Sequence, residues 1–188
     1  MGQQDLLERI AQLETENKNL RYQLGIDPLT GIANRKAFDG ALQREIARAV
    51  RSGSWLSLLL LDIDHFSRFN ERHGHLGGDR ALKQCARLWK TFARRSTDCL
   101  ARYGGEEFAI ILTDTDEHTT GANADDLVKM TADLSPVTVS VGYVSVIPTQ
   151  DVMPETLIEL ADEALYKAKG NGRNRAVSAA SLVTTKSA

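Results

Sequence analysis

The sequence predicts an α/β (α+β) sandwich of the ferredoxin-like kind, preceded by a coiled-coil helix. Three observations carry this expectation. Residues 56–63, LSLLLLDI, form an apolar run too short for a helix and suited to a central strand buried on both faces. After that run the signals follow the order helix, hairpin, helix, strand. Before it, near the N-terminus, apolar residues recur at coiled-coil spacing.

In the first segment, Leu6, Ile10, Leu13, Leu20 and Leu24, with Asn17 in the one gap, are separated by steps of 4, 3, 4, 3 and 4. Ile10, Asn17 and Leu24 then occupy a positions of a heptad, and Leu6, Leu13 and Leu20 occupy d. A polar Asn at a favours two parallel strands in fixed register. Across such a homodimer Arg9 faces Glu14 and Glu16 faces Arg21, both pairs opposite in sign. Residues 1–26 are therefore expected to be a stalk, ended by Gly25 and Pro28. The same stripe also suits a lone amphipathic helix packed on its own domain.

From residue 27 the elements alternate. The loop DPLTGIAN leads to a helix from about Asn34 to Arg51, with Asn34 as its cap. Leu56–Ile63 follows as the central strand, then a helix from about Gly78 to Ala93. Strands Cys99–Tyr103 and Phe108–Leu112 flank Gly104-Gly105, read as a tight two-residue hairpin turn. A shorter helix is expected near Asn123–Ala132, then an alternating strand Val137–Val146, then a helix Glu155–Lys169 that stops at Gly170. The domain thus covers residues 27–177. Residues 178–188 are small and polar and are expected to be a disordered tail.

Composition narrows the function classes. With 42% hydrophobic residues among 188, the chain can build one full core. A net charge of -2 argues against wholesale binding of nucleic acid or anionic membrane, so a polyanionic ligand needs a local cluster of cations. The longest apolar stretch is too short for membrane insertion, and residues 1–26 lack the apolar core of a signal peptide. Cys85 and Cys99 match no metal-ligand spacing and read as buried reduced thiols, which suits the cytoplasm.

The central strand ends in Asp62-Ile63-Asp64, placing two acids at i and i+2. Acids beside a core need either a cation or a helix start to offset their cost. Both explanations stay open for these residues alone. The stretch RYGGEEF adds Glu106 and Glu107, expected to begin the return strand facing opposite ways. If that hairpin lies beside the central strand, Glu106 comes within reach of Asp62. Carboxylates from neighbouring strands are what two-metal phosphoryl transfer requires.

The segments DPLTGIANR, LLLLDIDHF, NERHGHLGGD, RYGGEEF, VTVSVG and ADEALYKAKGNGRN resemble, in this order, the motifs of GGDEF-domain diguanylate cyclases, here in a GGEEF variant. The resemblance covers residues 27–177. It implies a sheet similar to the palm of nucleotide polymerases and to class III adenylyl cyclases. It also implies condensation of two GTP molecules into cyclic di-GMP and pyrophosphate by a homodimer. On this resemblance Asp62, Glu106 and the carbonyl of Ile63 would hold two Mg²⁺ (or Mn²⁺) ions per site, and Glu107 would help activate the attacking hydroxyl. Asn70 and Asp79 would read guanine, and Lys169 and Arg173 would hold phosphates. Without the resemblance, Lys169 and Arg173 are ordinary cations at a helix C-terminus. Arg95 and Asp98, in RSTD five residues before the GGEEF turn, match the family's RxxD product-inhibition site.

Three positions depart from the family pattern. Ser67 stands where Lys is usual, Glu71 where Asp is usual, and only 29 positions separate Phe108 from Val137. Ser67 removes a phosphate-binding cation and points to reduced turnover. Two other readings therefore stand beside the cyclase: a weakly active or inactive module binding GTP or cyclic di-GMP, and an interaction protein built on the stalk. A regulatory protein gripping the stalk, and formation of a mixed dinucleotide, are compatible with the same residues.

Overall fold

A computed structural model describes residues 3–180. Eleven elements follow in chain order: α1 Gln3–Gln23, β1 Ala33–Asn34, α2 Arg35–Ser52, β2 Leu56–Ile63, α3 Phe66–Trp89, β3 Cys99–Gly104, β4 Glu107–Thr113, α4 Glu117–Leu134, β5 Val139–Val146, α5 Pro154–Gly170 and β6 Ala176–Ser178. One six-stranded sheet runs in the order β1-β3-β4-β2-β5-β6. Its four central strands are antiparallel, while the short edge strands β1 and β6 pair parallel to β3 and β5. The order β3-β4-β2-β5 around β2-α3-β3-β4-α4-β5 is the ferredoxin-like arrangement expected from the element order.

Period-two alternation divides the apolar run of β2 between two cores. Leu59, Leu61 and Ile63 face α3 and α4, with Phe108, Ile110 and Leu112 of β4. Leu56, Leu58 and Leu60 face α2 and α5, with Ala109 and Ile111. Helices on both faces explain why an antiparallel strand is apolar throughout except at Asp62 and at Ser57, whose buried hydroxyl donates to the Thr115 carbonyl at 2.9 Å. Each fully buried leucine contributes about 2 kcal/mol. On the α3/α4 face, Trp89 packs edge-on against Phe108 at 4.8 Å, and its indole N–H donates to Thr131 Oγ1 at 2.8 Å. On the other face α5 lies directly on β5. A Cβ at Gly142 would sit 2.1 Å from the Leu165 nitrogen and 2.2 Å from the Ala161 oxygen, so only glycine permits this approach.

Several boundaries differ from the sequence expectation. The cap at Asn34 is present, its side chain accepting from Ala37 N–H at 3.0 Å. The helix expected from Gly78 begins at Phe66 and is broken at Gly74, whose φ of 70° and ψ of 165° are not helical. Two helical pieces join there at an angle, because glycine tolerates a backbone that other residues avoid. The helix expected from Asn123 begins at Glu117, capped by Asp116, whose carboxylate accepts from Thr119 N–H at 2.7 Å. It fills the short interval before β5 without a further strand. The expected tail boundary is also corrected. Ser178 belongs to β6 and donates to Glu117 at 2.8 Å, and Ala179 is buried. Residues 181–188, the rest of that tail, lie outside the described residues.

The first helix forms as expected. Leu6, Ile10, Leu13, Leu20 and Leu24 are all exposed along it. The side chain of Arg21, one of the expected interchain partners, lies outside the described residues. Cys85 is buried and Cys99 half-buried, both free thiols; burial pushes them up to about 12 and about 11. At neutral pH neither supplies a reactive thiolate.

Candidate active site

The upper end of β2 sits between the β3–β4 hairpin and the C-terminus of α5. Register places Asp62 opposite Glu107 on β4, and Ile63 N–H donates to the Glu106 carbonyl at 3.3 Å. Asp62 and Glu107 share the sheet face covered by α2 and α5, because directly opposed residues of an antiparallel pair point the same way. The hairpin itself is shifted by one residue from the expected turn. Gly104 is still paired with Glu107, a register shift falls between Arg102 and Gly104, and the turn is Gly105-Glu106. Only Gly105 has positive φ, at 41°. Glu106 is therefore a turn residue, and Glu107 is the acid that begins the return strand. The Arg102 guanidinium fastens this bend by donating to the Gly105 carbonyl at 2.8 Å.

From the other side α5 delivers Lys169, whose Nζ lies 2.8 Å from Asp62 Oδ2. Asp62 is the more enclosed partner, its side chain 15% exposed against 32% for Lys169. Glu107 is exposed, yet partial desolvation raises its carboxyl from the ordinary value, and the charges of Asp62, Glu106 and Asp162 add to the rise against the opposing pull of Lys169. Negative charge is thus concentrated at this end of the sheet beyond what one ammonium neutralises.

The donors fit a hard divalent cation. Carboxylates of Asp62, Glu106 and Glu107 and the Ile63 carbonyl are all oxygen, which suits Mg²⁺ or Mn²⁺. Among the described residues no three acidic, histidine or cysteine side chains converge into a ready metal cage. Mg²⁺ commonly needs only one or two carboxylates, completing its shell with water and substrate phosphates.

Asp64 does something else. It lies past the end of β2, so the period-two rule that paired it with Asp62 no longer applies. Its buried carboxylate accepts from Thr138 Oγ1 at 2.7 Å, Ser140 Oγ at 2.7 Å and Asn174 N–H at 3.0 Å. It ties β5 and the chain after α5 to the β2 end, a positioning role the sequence left open between metal and helix cap.

The break at Gly74 folds the second piece of α3 onto the first. Gly78 packs against Asn70 so closely that a Cβ would lie within bonding distance of Asn70 Oδ1, at 1.9 Å. That oxygen is buried and has no hydrogen-bond partner. Asp79 follows Gly78 in sequence, so the two residues expected to read a base stand on facing pieces of one broken helix. Both are half-buried. An orphaned acceptor costs about 1–3 kcal/mol unless a donor arrives. Asn70 sits in the first piece of α3.

After α5, Arg173 takes a left-handed backbone, φ 63°, and turns back so that its guanidinium donates to the Lys169 carbonyl at 3.4 Å. Both cations therefore stand at the same helix end, Lys169 on Asp62 and Arg173 folded back onto the Lys169 backbone. Ser67 is exposed in the first turn of α3, and Arg68 lines a cavity on the side of the α4–β5 connection.

Arg95 and Asp98 lie at the start of β3, away from the β2 end. Asp98 accepts four hydrogen bonds: from the N–H groups of Arg94 and Arg95 at 3.0 and 2.8 Å, and from the N–H and hydroxyl of Thr113, both at 3.0 Å. Arg95 donates to Thr115 Oγ1 at 3.1 Å and borders a cavity of about 520 Å³ with Asp98. Asp98 thus holds the turn that presents Arg95.

Comparison with known proteins agrees with this geometry. The family described as diguanylate cyclase, GGDEF domain, matches residues 24–175. Diguanylate cyclase DgcP of Pseudomonas aeruginosa is 36% identical over 187 residues, covering 92% of this chain and 27% of its own length. The chain therefore spans about a quarter of that relative. Among solved structures, the GGDEF domain of DgcB from Caulobacter crescentus in complex with c-di-GMP aligns with a TM-score of 0.78 at 34% identity, over 83% of this chain and 93% of that one. A structure of the coiled coil and GGDEF domain of the same protein aligns at 0.76 and 31% identity, over 93% and 95%. This chain belongs to the GGDEF-domain family of diguanylate cyclases.

Proposed function

We propose that the chain is a diguanylate cyclase that condenses two GTP molecules into cyclic di-GMP with release of two pyrophosphates. The observation that carries this reading is the register of Asp62 opposite Glu107, with the Glu106 turn bonded to Ile63. Asp62, Glu106 and the Ile63 carbonyl would hold two divalent cations, Mg²⁺ or Mn²⁺, beside the phosphates. When bound, such cations offset the charge that develops on the phosphoryl oxygens. Lys169 and Arg173 hold the β- and γ-phosphates. Asn70 and Asp79 pair with the guanine edge, a set of donors and acceptors that adenine leaves unsatisfied. Glu107, with its raised proton affinity, takes the proton as a 3′-hydroxyl attacks an α-phosphorus and the bond to pyrophosphate breaks.

Each hydroxyl attacks the nucleotide of a second copy, so two domains must meet face to face. The exposed stripe Leu6–Leu24 supports a parallel coiled coil that keeps them at high effective concentration. The likeness to a solved coiled coil and GGDEF domain supports the same arrangement. The stalk is also where a regulatory protein would act. Arg95, presented by Asp98, is the contact for bound product.

A second reading, nucleotide binding with slow or no turnover, is favoured by Ser67, which supplies no phosphate-binding charge. One assay separates the two. Purified protein incubated with GTP and Mg²⁺ and resolved by chromatography is expected to yield cyclic di-GMP, with synthesis slowing as product accumulates. Arg95→Ala is expected to keep the initial rate and lose the slowing. Binding of GTP with no product would support the second reading, and unchanged slowing in Arg95→Ala would remove the assignment of the inhibitory site.

A further inference from the structure

Beyond the β2–α3 turn, on the α3/α4 side of the sheet, lies a second cavity of about 460 Å³. One wall is His65, just before α3, together with the first piece of that helix, which presents Arg68, Phe69, Arg72 and His73. The spacing of the last four puts them on a single helix face. The opposite wall is the α4–β5 connection, residues 135–138 with Ala132, which carries no charged side chain. Neither Arg68 nor Arg72 forms an ion pair among the described residues. The one acid in the lining is Asp64, whose oxygens are already taken by Thr138, Ser140 and Asn174. The first turn of α3 has no acidic residue to offset the positive end of the helix dipole. The Phe69 and His73 rings pack against each other at 4.4 Å, tilted by 32°, along one side of the cavity.

Two unpaired guanidiniums, two imidazoles and a positive helix end around one concave space select a compact dianion. Guanidinium forks match phosphate oxygens bidentately. We propose that this cavity binds a phosphate dianion, free or at the end of a nucleoside monophosphate, at a site separate from the Asp62 carboxylates and from Lys169 and Arg173. The proposal does not depend on the cyclase reading, since it uses none of that site's residues.

The test is side-chain NMR on the metal-free full chain, titrated separately with inorganic phosphate and with GMP. Saturable shifts are expected at the His65 and His73 rings and the Arg68 and Arg72 guanidiniums. The double variant Arg68→Gln, Arg72→Gln is expected to bind at least about tenfold more weakly. Both arginines are exposed, so the variant should keep its thermal midpoint. Equal affinities for the two probes identify free phosphate as the ligand chemistry, and tighter GMP binding identifies a nucleotide-borne phosphate. Shifts confined to the surroundings of Lys169 and Arg173, or binding unchanged in the double variant, would overturn the proposal.

Discussion

Replacing Glu107 with Gln is expected to lower cyclic di-GMP production about 10²–10⁴-fold, the usual contribution of a positioned general base. GTP affinity should change far less, because guanine and phosphates are held by other residues. Stability should move the opposite way. The Glu107 carboxyl is raised by partial desolvation and by the neighbouring charges of Asp62, Glu106 and Asp162, so its ionised form is mildly disfavoured in the folded domain, solvent screening keeping the effect small at this exposed position. A folded-state value above the unfolded one means that the protonated form favours folding. That contribution is complete below the ordinary glutamate range and is lost as pH rises through the raised folded value. Metal-free protein should therefore lose stability as pH climbs from acid through that window, and Glu107→Gln should flatten this part of the profile. Denaturant midpoints measured across the window check it. A variant that keeps full turnover would remove Glu107 from the proton-transfer role.

Gly142→Ala is expected to cost about 3 kcal/mol or more of stability, the upper end for overpacking, and to abolish synthesis. The added methyl would lie 2.1 and 2.2 Å from backbone atoms of Leu165 and Ala161, and backbone cannot swing aside as a flexible side chain does. Helix α5 must lift from β5. Lys169 sits four residues beyond Leu165 on the same helix, so its 2.8 Å contact with Asp62 should break along with the packing. Chemical denaturation measures the stability loss. At a temperature where the variant stays folded, GTP turnover measures the displacement. A variant with wild-type stability would mean that α5 does not sit as closely on β5 as described.

Much of this fold was legible because particular residues carry strong local signals. The β2 run has no polar interruption from Leu58 to Leu61, and both its ends match the sequence reading. Asn34 offers a cap acceptor directly before a helical stretch, and it is used as one. The first piece of α3 was not legible. Phe66–His73 carries two arginines, Glu71, Asn70 and one histidine around most of its surface, which leaves no clear apolar stripe until the helix resumes beyond Gly74. The start of α4 was hidden by Thr119, Thr120 and Gly121, residues that read as loop until Asp116 is seen capping them. Edge strands β1 and β6 span two and three residues, too few to show a period without their partners.

The same contrast holds at the candidate site. Proximity of the GGEEF turn to the end of β2 is expected from the sequence only if the hairpin lies beside that strand, and β4 does pair with β2. The one-residue shift at Arg102–Gly104 could not be read from the sequence, because a bulge depends on how the partner strand is bonded. That shift accompanies the placing of Glu106 in the turn, while the unbroken β2–β4 register sets Glu107 opposite Asp62. The roles of Asp64 and Asp98 were likewise hidden, since both carboxylates are filled by donors distant in sequence, Ser140 and Thr113 among them.

The proposed chemistry depends on the end of β2 and the Gly105-Glu106 bend forming one cation site beside bound nucleotide. Mn²⁺ titration followed by electron paramagnetic resonance, with a non-hydrolysable GTP analogue present, tests this most directly. The expected result is about two protein-dependent Mn²⁺ ions per chain, with at least one lost in Asp62→Ala. Mn²⁺ binding no greater than that of the nucleotide alone, or unchanged in Asp62→Ala, would contradict it.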